Sequence, residues 1–276
     1  MSAVAAVVQM TSGDDVAANL RVAGQWLAEA KAGGAALAVL PENFALMPRN
    51  DAARRAAAEP DGHGPIQDFL AETAASLGMW IVGGTLPVSV PGDSRPAACC
   101  PVYDAAGRRV ARYDKIHLFD VDLPGRDERY RESDHIAPGS RVVVVDSPLG
   151  RLGLSVCYDM RFPELYRDMV AAGAEVFTVP AAFTAPTGRA HWEVLLRARA
   201  IENLCFVLAP AQGGIHPNGR ETYGDSLIVD PWGRVLSRRP RGAGVVLATL
   251  DRGAQQATRV SFPCLQNRVL SRSPSC

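Results

Sequence analysis

The stretch Ala36-Leu37-Ala38-Val39-Leu40-Pro41-Glu42 decides how the chain folds. Its unbroken apolar run reads as a strand buried on both faces, and Pro41, which has no N–H to give a ladder, ends it. Just upstream, residues 15–31 carry Val16, Leu20, Ala23, Leu27 and Ala30 at helical spacing, and Gly33-Gly34 closes that helix. Further back, residues 3–10 are β-rich and lead into Thr11-Ser12-Gly13-Asp14, which are turn and capping residues. The unit is strand, helix, strand.

The same rhythm continues downstream. Residues 66–77 read as helix and 80–85 as strand; 97–103 and 108–114 read as two strands around a turn at 104–107. In the second half, strands at 142–146 and 152–157 flank Pro148-Leu149-Gly150, and a helix at 164–172 starts after Pro163. A strand at 175–179, a long helix at 188–203, a strand at 205–209 and late strands at 227–229, 235–237 and 245–250 complete the chain. Apolar strands separated by amphipathic helices predict an α/β fold in which helices cover the sheets, and the extra hairpins predict two packed mixed sheets. No linker interrupts residues 1–276, so a single domain is expected.

Composition removes several classes of function. The 276 residues include 29 Lys plus Arg and 29 Asp plus Glu, a net charge of zero, which argues against a nucleic-acid partner. No apolar stretch approaches the ~20 residues that span a bilayer, and Gln9 breaks the first apolar run too early for a signal peptide. Six cysteines form no C-x-x-C pair and have no His at zinc-ligand spacing, so a reduced, cytoplasmic protein without a metal is expected.

Three reactive side chains stand at predicted strand ends: Glu42, Lys115 and Cys157. Ligands bind at the carboxyl ends of strands in α/β sheets, so the three can converge. A carboxylate that takes a thiol proton, an ammonium that stabilises an oxyanion and a thiolate that attacks carbon suffice for acyl transfer. Taken singly, each also has an ordinary reading: a small buried hydrophobe, a capping acid and a solvated strand end. A Cys–His pair using His117 or His191 is a rival arrangement, and a binding protein without catalysis is another.

The surrounding blocks resemble the nitrilase, or carbon–nitrogen hydrolase, superfamily. Tyr113-Asp114-Lys115-Ile116-His117-Leu118-Phe119-Asp120-Val121, followed by Glu132-Ser133 and Pro138-Gly139, resembles the lysine motif of its Nit branch. Cys157-Tyr158-Asp159-Met160-Arg161-Phe162-Pro163-Glu164-Leu165 resembles the cysteine motif. Pro180-Ala181-Ala182-Phe183-Thr184, the helix from Thr187-Gly188 to Asn203, and Asp230-Pro231-Trp232-Gly233 match later blocks, so the likeness runs from residue 3 to about 268. Within the branch it is strongest to amidases acting on deaminated glutathione, with ω-amidases of 2-oxoglutaramate-type substrates as near relatives.

The resemblance implies a nitrilase-like α-β-β-α sandwich, a homodimer, no cofactor, and hydrolysis of a small carboxylate-bearing amide through a cysteine thioester. It makes Glu42 the general base, Lys115 an oxyanion stabiliser, Cys157 the nucleophile and Glu132 a second glutamate that positions substrate or assists proton transfer. The Tyr158 N–H completes the oxyanion hole. Arg161 has the chemistry to clamp a substrate carboxylate, or to pair structurally with Glu164, and Phe183 and Thr184 are candidates for the pocket wall. Asp225 stands where the branch commonly has histidine, which leaves its local contacts open.

Overall fold

In a computed structural model, residues 2–122 and 129–270 are described; Cys276 lies outside them. The opening unit forms as its pattern dictates. Strand β1 (Ser2–Gln9) leads to helix α1 (Val16–Ala32), whose first turn is capped by Asp15 through an acceptor for the Ala18 N–H. Strand β2 (Ala35–Val39) then lies parallel to β1. A short helix, α2 (Asp51–Ala56), precedes α3 (Pro65–Leu77), β3 (Trp80–Val82) and β4 (Leu86–Val88). The hairpin of β5 (Ala97–Tyr103) and β6 (Arg109–Asp114) comes next, then a small ribbon of β7 (Asp120–Asp122) and β8 (Arg129–Arg131).

The second half supplies β9 (Val144–Ser147), β10 (Gly150–Leu154), α4 (Pro163–Ala171), β11 (Val176–Thr178), α5 (Ala185–Asn203) and β12 (Phe206–Ala209). A ribbon of β13 (Gly213–Ile215) and β14 (Glu221–Tyr223) intervenes before β15 (Ser226–Val229), β16 (Val235–Arg239), β17 (Gly244–Asp251) and α6 (Arg252–Ser261). Among the described residues one sheet runs β17-β1-β2-β3-β5-β4, with β6 also on β5, and the other runs β16-β15-β12-β11-β10-β9. Both mix parallel and antiparallel pairs.

Strand alternation builds the layers. Ala5 and Val7 of β1 face the other sheet and pack in one core with Leu152 and Leu154 of β10, Val176 of β11 and Val207 of β12. Ala6 and Val8 point the opposite way, onto Ala23, Leu27 and Ala30 of α1 and Leu70 of α3. On the far side of the second sheet, Leu165, Met169, Trp192 and Leu196 of α4 and α5 are buried. The order is helix, sheet, sheet, helix, as expected.

Strand direction sets the edge at which reactive side chains emerge. Strands β2 and β3 run parallel, β5 runs against β3, and β6 runs against β5, so β2 and β6 end at the same edge. Strands β10 and β11 are parallel to one another as well. One expectation needs correction. Strand β10 stops at Leu154, short of Cys157, because Cys157 takes a left-handed backbone (φ 49°) and opens a 3-10 turn over Cys157–Arg161.

Candidate active site

Glu42 is held by the backbone on both sides. Leu40 closes β2 by donating its N–H to the Val82 carbonyl at 2.9 Å. Asn43 adopts φ 57° and donates its N–H to Thr85 Oγ1 at 2.8 Å. Gly84 lies so close beneath Pro41 that a Cβ there would fall 2.1 Å from the Pro41 carbonyl oxygen, and its φ of 55° also favours glycine. The carboxylate this turn presents is buried. Its Oε2 accepts the Ala182 N–H at 2.7 Å and its Oε1 accepts Lys115 Nζ at 2.9 Å.

Lys115 succeeds the last residue of β6 and remains in a ladder, donating its N–H to Ala98 and accepting the Gly139 N–H at 2.8 Å. Gly139 is required there, since a Cβ would lie 2.0 Å from the Asp114 oxygen. Lys115 is 1% exposed, and its ammonium reaches Glu132 Oε1 at 2.9 Å and Oε2 at 2.8 Å besides Glu42. Glu132 opens a short 3-10 turn and takes the Phe119 N–H on Oε2 at 2.7 Å. An ammonium has three protons, so at rest all of them serve the two glutamates.

Cys157 is set by its own turn. Its N–H donates to the Pro180 carbonyl at 2.9 Å, and Ser155 anchors the approach through Tyr166 and Thr178. Asp159 fixes the rest. Fully buried, it accepts the Val156 N–H (2.8 Å) and the Tyr113 hydroxyl (2.6 Å) on Oδ2, and the His117 N–H (3.0 Å) on Oδ1. One carboxyl group thereby joins the cysteine turn to the lysine strand. The Tyr158 N–H makes no hydrogen bond to another described residue.

Electrostatics arise from this crowding. Burial pushes the Glu42 carboxyl up, but the Lys115 charge and hydrogen bonds from Lys115 and Cys157 outweigh it and hold the group below the usual range. Burial opposes charge on Lys115 too, yet Glu132 and then Glu42 raise its affinity for the proton. Burial and the Glu42 charge lift the Cys157 thiol well above the ordinary thiol range, with Lys115 only partly opposing. The resting sulfur is therefore a thiol in the same cleft as the Glu42 carboxylate.

Glu42, Lys115, Glu132 and Cys157 line one cleft of about 250 Å³, and Tyr158, Phe183 and Thr184 form part of its wall. Arg161 is placed differently. It lies outside that lining, with its guanidinium 5.3 Å from the Phe183 ring centre and 5.7 Å from that of Tyr158, bonded to His191 at 3.3 Å. No ion pair with Glu164 occurs among the described residues. His117 is stacked on Phe162 at 3.7 Å with its Nδ1 on Asp159, and His191 is occupied by Arg161. Neither lines the cleft, so the geometry gives no support to a Cys–His pair. Asp225 is tied to Arg238 at 2.9 Å, and its carbonyl accepts the Trp192 indole N–H, away from that cleft.

Sequence reading missed Arg54 and Arg220, which also line the cleft. Arg54 sits on the short, alanine-rich α2, which has no apolar period, and Arg220 comes after a turn. Among the described residues no three His, Cys, Asp or Glu side chains are grouped to hold a metal ion, and no helix is long and apolar enough to cross a membrane.

Comparison with known proteins identifies the family. The family model described as carbon-nitrogen hydrolase matches residues 4–260. Deaminated glutathione amidase of Yersinia enterocolitica is 42% identical over 268 residues, covering 96% of this chain and 93% of that protein. The Homo sapiens protein of the same name is 41% identical, covering 95% and 81%. The crystal structure of C. elegans NitFhit superposes with a TM-score of 0.90 at 36% identity, over 97% of this chain and 65% of that one. Saccharomyces cerevisiae Nit3, described as a member of branch 10 of the nitrilase superfamily, gives 0.86 at 28% identity over 95% and 94%.

Proposed function

The chain belongs to the carbon–nitrogen hydrolase family, and on that footing we propose that it is an amidase acting on deaminated glutathione through a Cys157 thioester. The observation that carries this reading is the setting of one carboxylate: Glu42, fixed by Lys115 Nζ at 2.9 Å and by the Ala182 N–H at 2.7 Å, lines the same cleft as Cys157.

Glu42 accepts the Cys157 proton as sulfur attacks the amide carbonyl carbon, whose π electrons move onto oxygen. The Tyr158 N–H and the Lys115 charge stabilise that oxyanion; loss of one such donor in other hydrolases costs about 3–4 kcal/mol. Because Lys115 spends its protons on the glutamates at rest, it gives up one contact with Glu132 to reach the oxyanion. The tetrahedral centre collapses, the amine leaves with the proton from Glu42, and a thioester remains. Water then attacks the thioester while Glu42 takes its proton, and the second collapse frees the carboxylic acid and returns a proton to sulfur. Glu132 keeps Lys115 aimed throughout.

The relatives named deaminated glutathione amidase support that substrate. Arg161 fits it: no described carboxylate pairs with this half-buried guanidinium, and burial lowers its hold on the proton, so a substrate carboxylate is its natural partner. We place the enzyme in the cytoplasm as a homodimer. Its described cysteines are all free, which suits a reducing compartment, and α5 exposes Val194 and Ile201 for a partner.

The test is product release from deaminated glutathione, 2-oxoglutaramate, simple aliphatic amides and nitriles, with Cys157→Ala alongside. Turnover of the first by wild type alone supports the reading. Activity confined to nitriles, or retained by Cys157→Ala, overturns it.

A further inference from the structure

Arg54 and Arg220 are unusual among the arginines of the cleft. Arg129 and Arg131 both pair with Asp122, whereas no ion pair engages Arg54 or Arg220 among the described residues. Both have an Nε shut away from solvent with no acceptor. Leaving such a donor unpaired is costly, so the arrangement calls for an acceptor that arrives later. What contacts they do make are weak or serve the backbone. Arg54 reaches Asn43 Oδ1 only at 3.5 Å, and Arg220 donates to the Ala182 carbonyl at 2.6 Å while lying over the Tyr130 ring.

Charge counting points the same way. With the Cys157 thiol neutral, the carboxylates Glu42 and Glu132 of the lining face Lys115, Arg54, Arg129, Arg131 and Arg220, and Asp122 serves both Arg129 and Arg131, so among these residues the cleft keeps a surplus of positive charge. An incoming anion would balance it and take up the free Nε groups.

We propose that Arg54 and Arg220 form a carboxylate subsite separate from Arg161, so that the enzyme selects amides carrying two carboxylates. The inference rests on the amidase reading and deepens it. Deaminated glutathione has such a pair, one at its 2-oxo acid end and one at its glycine end, and Arg161 can take only one of them. The bidentate geometry of guanidinium against carboxylate gives the subsite its chemistry.

The experiment is a chemical double-mutant cycle on the full-length enzyme. Wild type, Arg54→Gln, Arg220→Gln and Arg220→Lys are assayed with deaminated glutathione and with two analogues, each having one carboxylate converted to a carboxamide. Because Ala182 bonds both Arg220 and Glu42, kcat will fall in the Arg220 variants for every substrate. The diagnostic quantity is therefore KM. On the diacid, both Gln variants should raise KM by roughly tenfold or more, the range of a charged hydrogen bond, with Arg220→Lys intermediate. On one of the two analogues that penalty should shrink to about twofold, because the partner charge is already gone. Equal penalties on all three substrates would show a merely structural role and overturn the proposal, as would no penalty on any. If wild type turns over none of the three, the amidase reading fails instead.

Discussion

The Tyr113 hydroxyl donates to Asp159 Oδ2 across 2.6 Å, linking the strand that delivers Lys115 to the turn that delivers Cys157. Two catalytic candidates that are 42 residues apart in sequence thus share one rigid joint. Replacing Asp159 by Ala strands the Val156 and His117 N–H groups and the Tyr113 hydroxyl at once. With about 1–3 kcal/mol for each buried group left unsatisfied, Asp159→Ala should lose roughly 3–5 kcal/mol of stability. Tyr113→Phe, which removes one bond, should lose about 1 kcal/mol. Urea unfolding of the three proteins checks the ranking.

Glu42→Gln separates the two tasks of that carboxylate. It abolishes proton acceptance, so amide turnover should fall by about 100-fold or more. It also removes the negative charge that raises the Cys157 thiol, so thiolate becomes easier to form. The pH at which Cys157 reacts with iodoacetamide should move down in the variant while turnover is lost. A midpoint that stays put or moves up would contradict this electrostatic coupling.

Acid stability carries a definite sign. Glu42 has a folded-state value below its unfolded one, so its stabilisation is complete above the unfolded value of about 4.3 and is lost as pH falls through the lowered folded value. Wild type should lose stability more steeply than Glu42→Gln as pH falls below about 4. Chemical denaturation at successive pH values measures both slopes. Lys115 works in the opposite sense: its contribution is complete below the ordinary lysine range and disappears only as pH rises through the raised folded value.

Arg161→Lys keeps the charge and loses the fork. KM for carboxylate-bearing amides should rise about five- to tenfold, against less than twofold for neutral amides. Steady-state kinetics on matched pairs decides the point, and an equal rise for both would remove the clamp.

Much of this site was legible because its chemistry stands at the ends of apolar runs. The run at 36–40 announced where Glu42 would emerge, and the blocks around Lys115 and Cys157 carried their own resemblance. What depends on distant contacts stayed hidden. Asp159 belongs to the cysteine block, yet only the fold brings Tyr113 and His117 to it. Cys157 looked like a strand residue, because an apolar Leu154-Ser155-Val156 approach says nothing about a left-handed φ. Helix α6 escaped notice because a polar residue, Gln255, is its buried contact, donating to the Glu175 and Leu204 carbonyls. Arg54 was concealed in a helix of six residues with no buried face.

The central claim is that the substrate acyl group passes through Cys157. Rapid quenching in acid during turnover of deaminated glutathione, with peptide mass spectrometry of the quenched enzyme, reads it directly. The 2-oxo acyl group is expected on the peptide containing Cys157, with no adduct in Cys157→Ala. Acylation of a different residue, or undiminished turnover by Cys157→Ala, would contradict it.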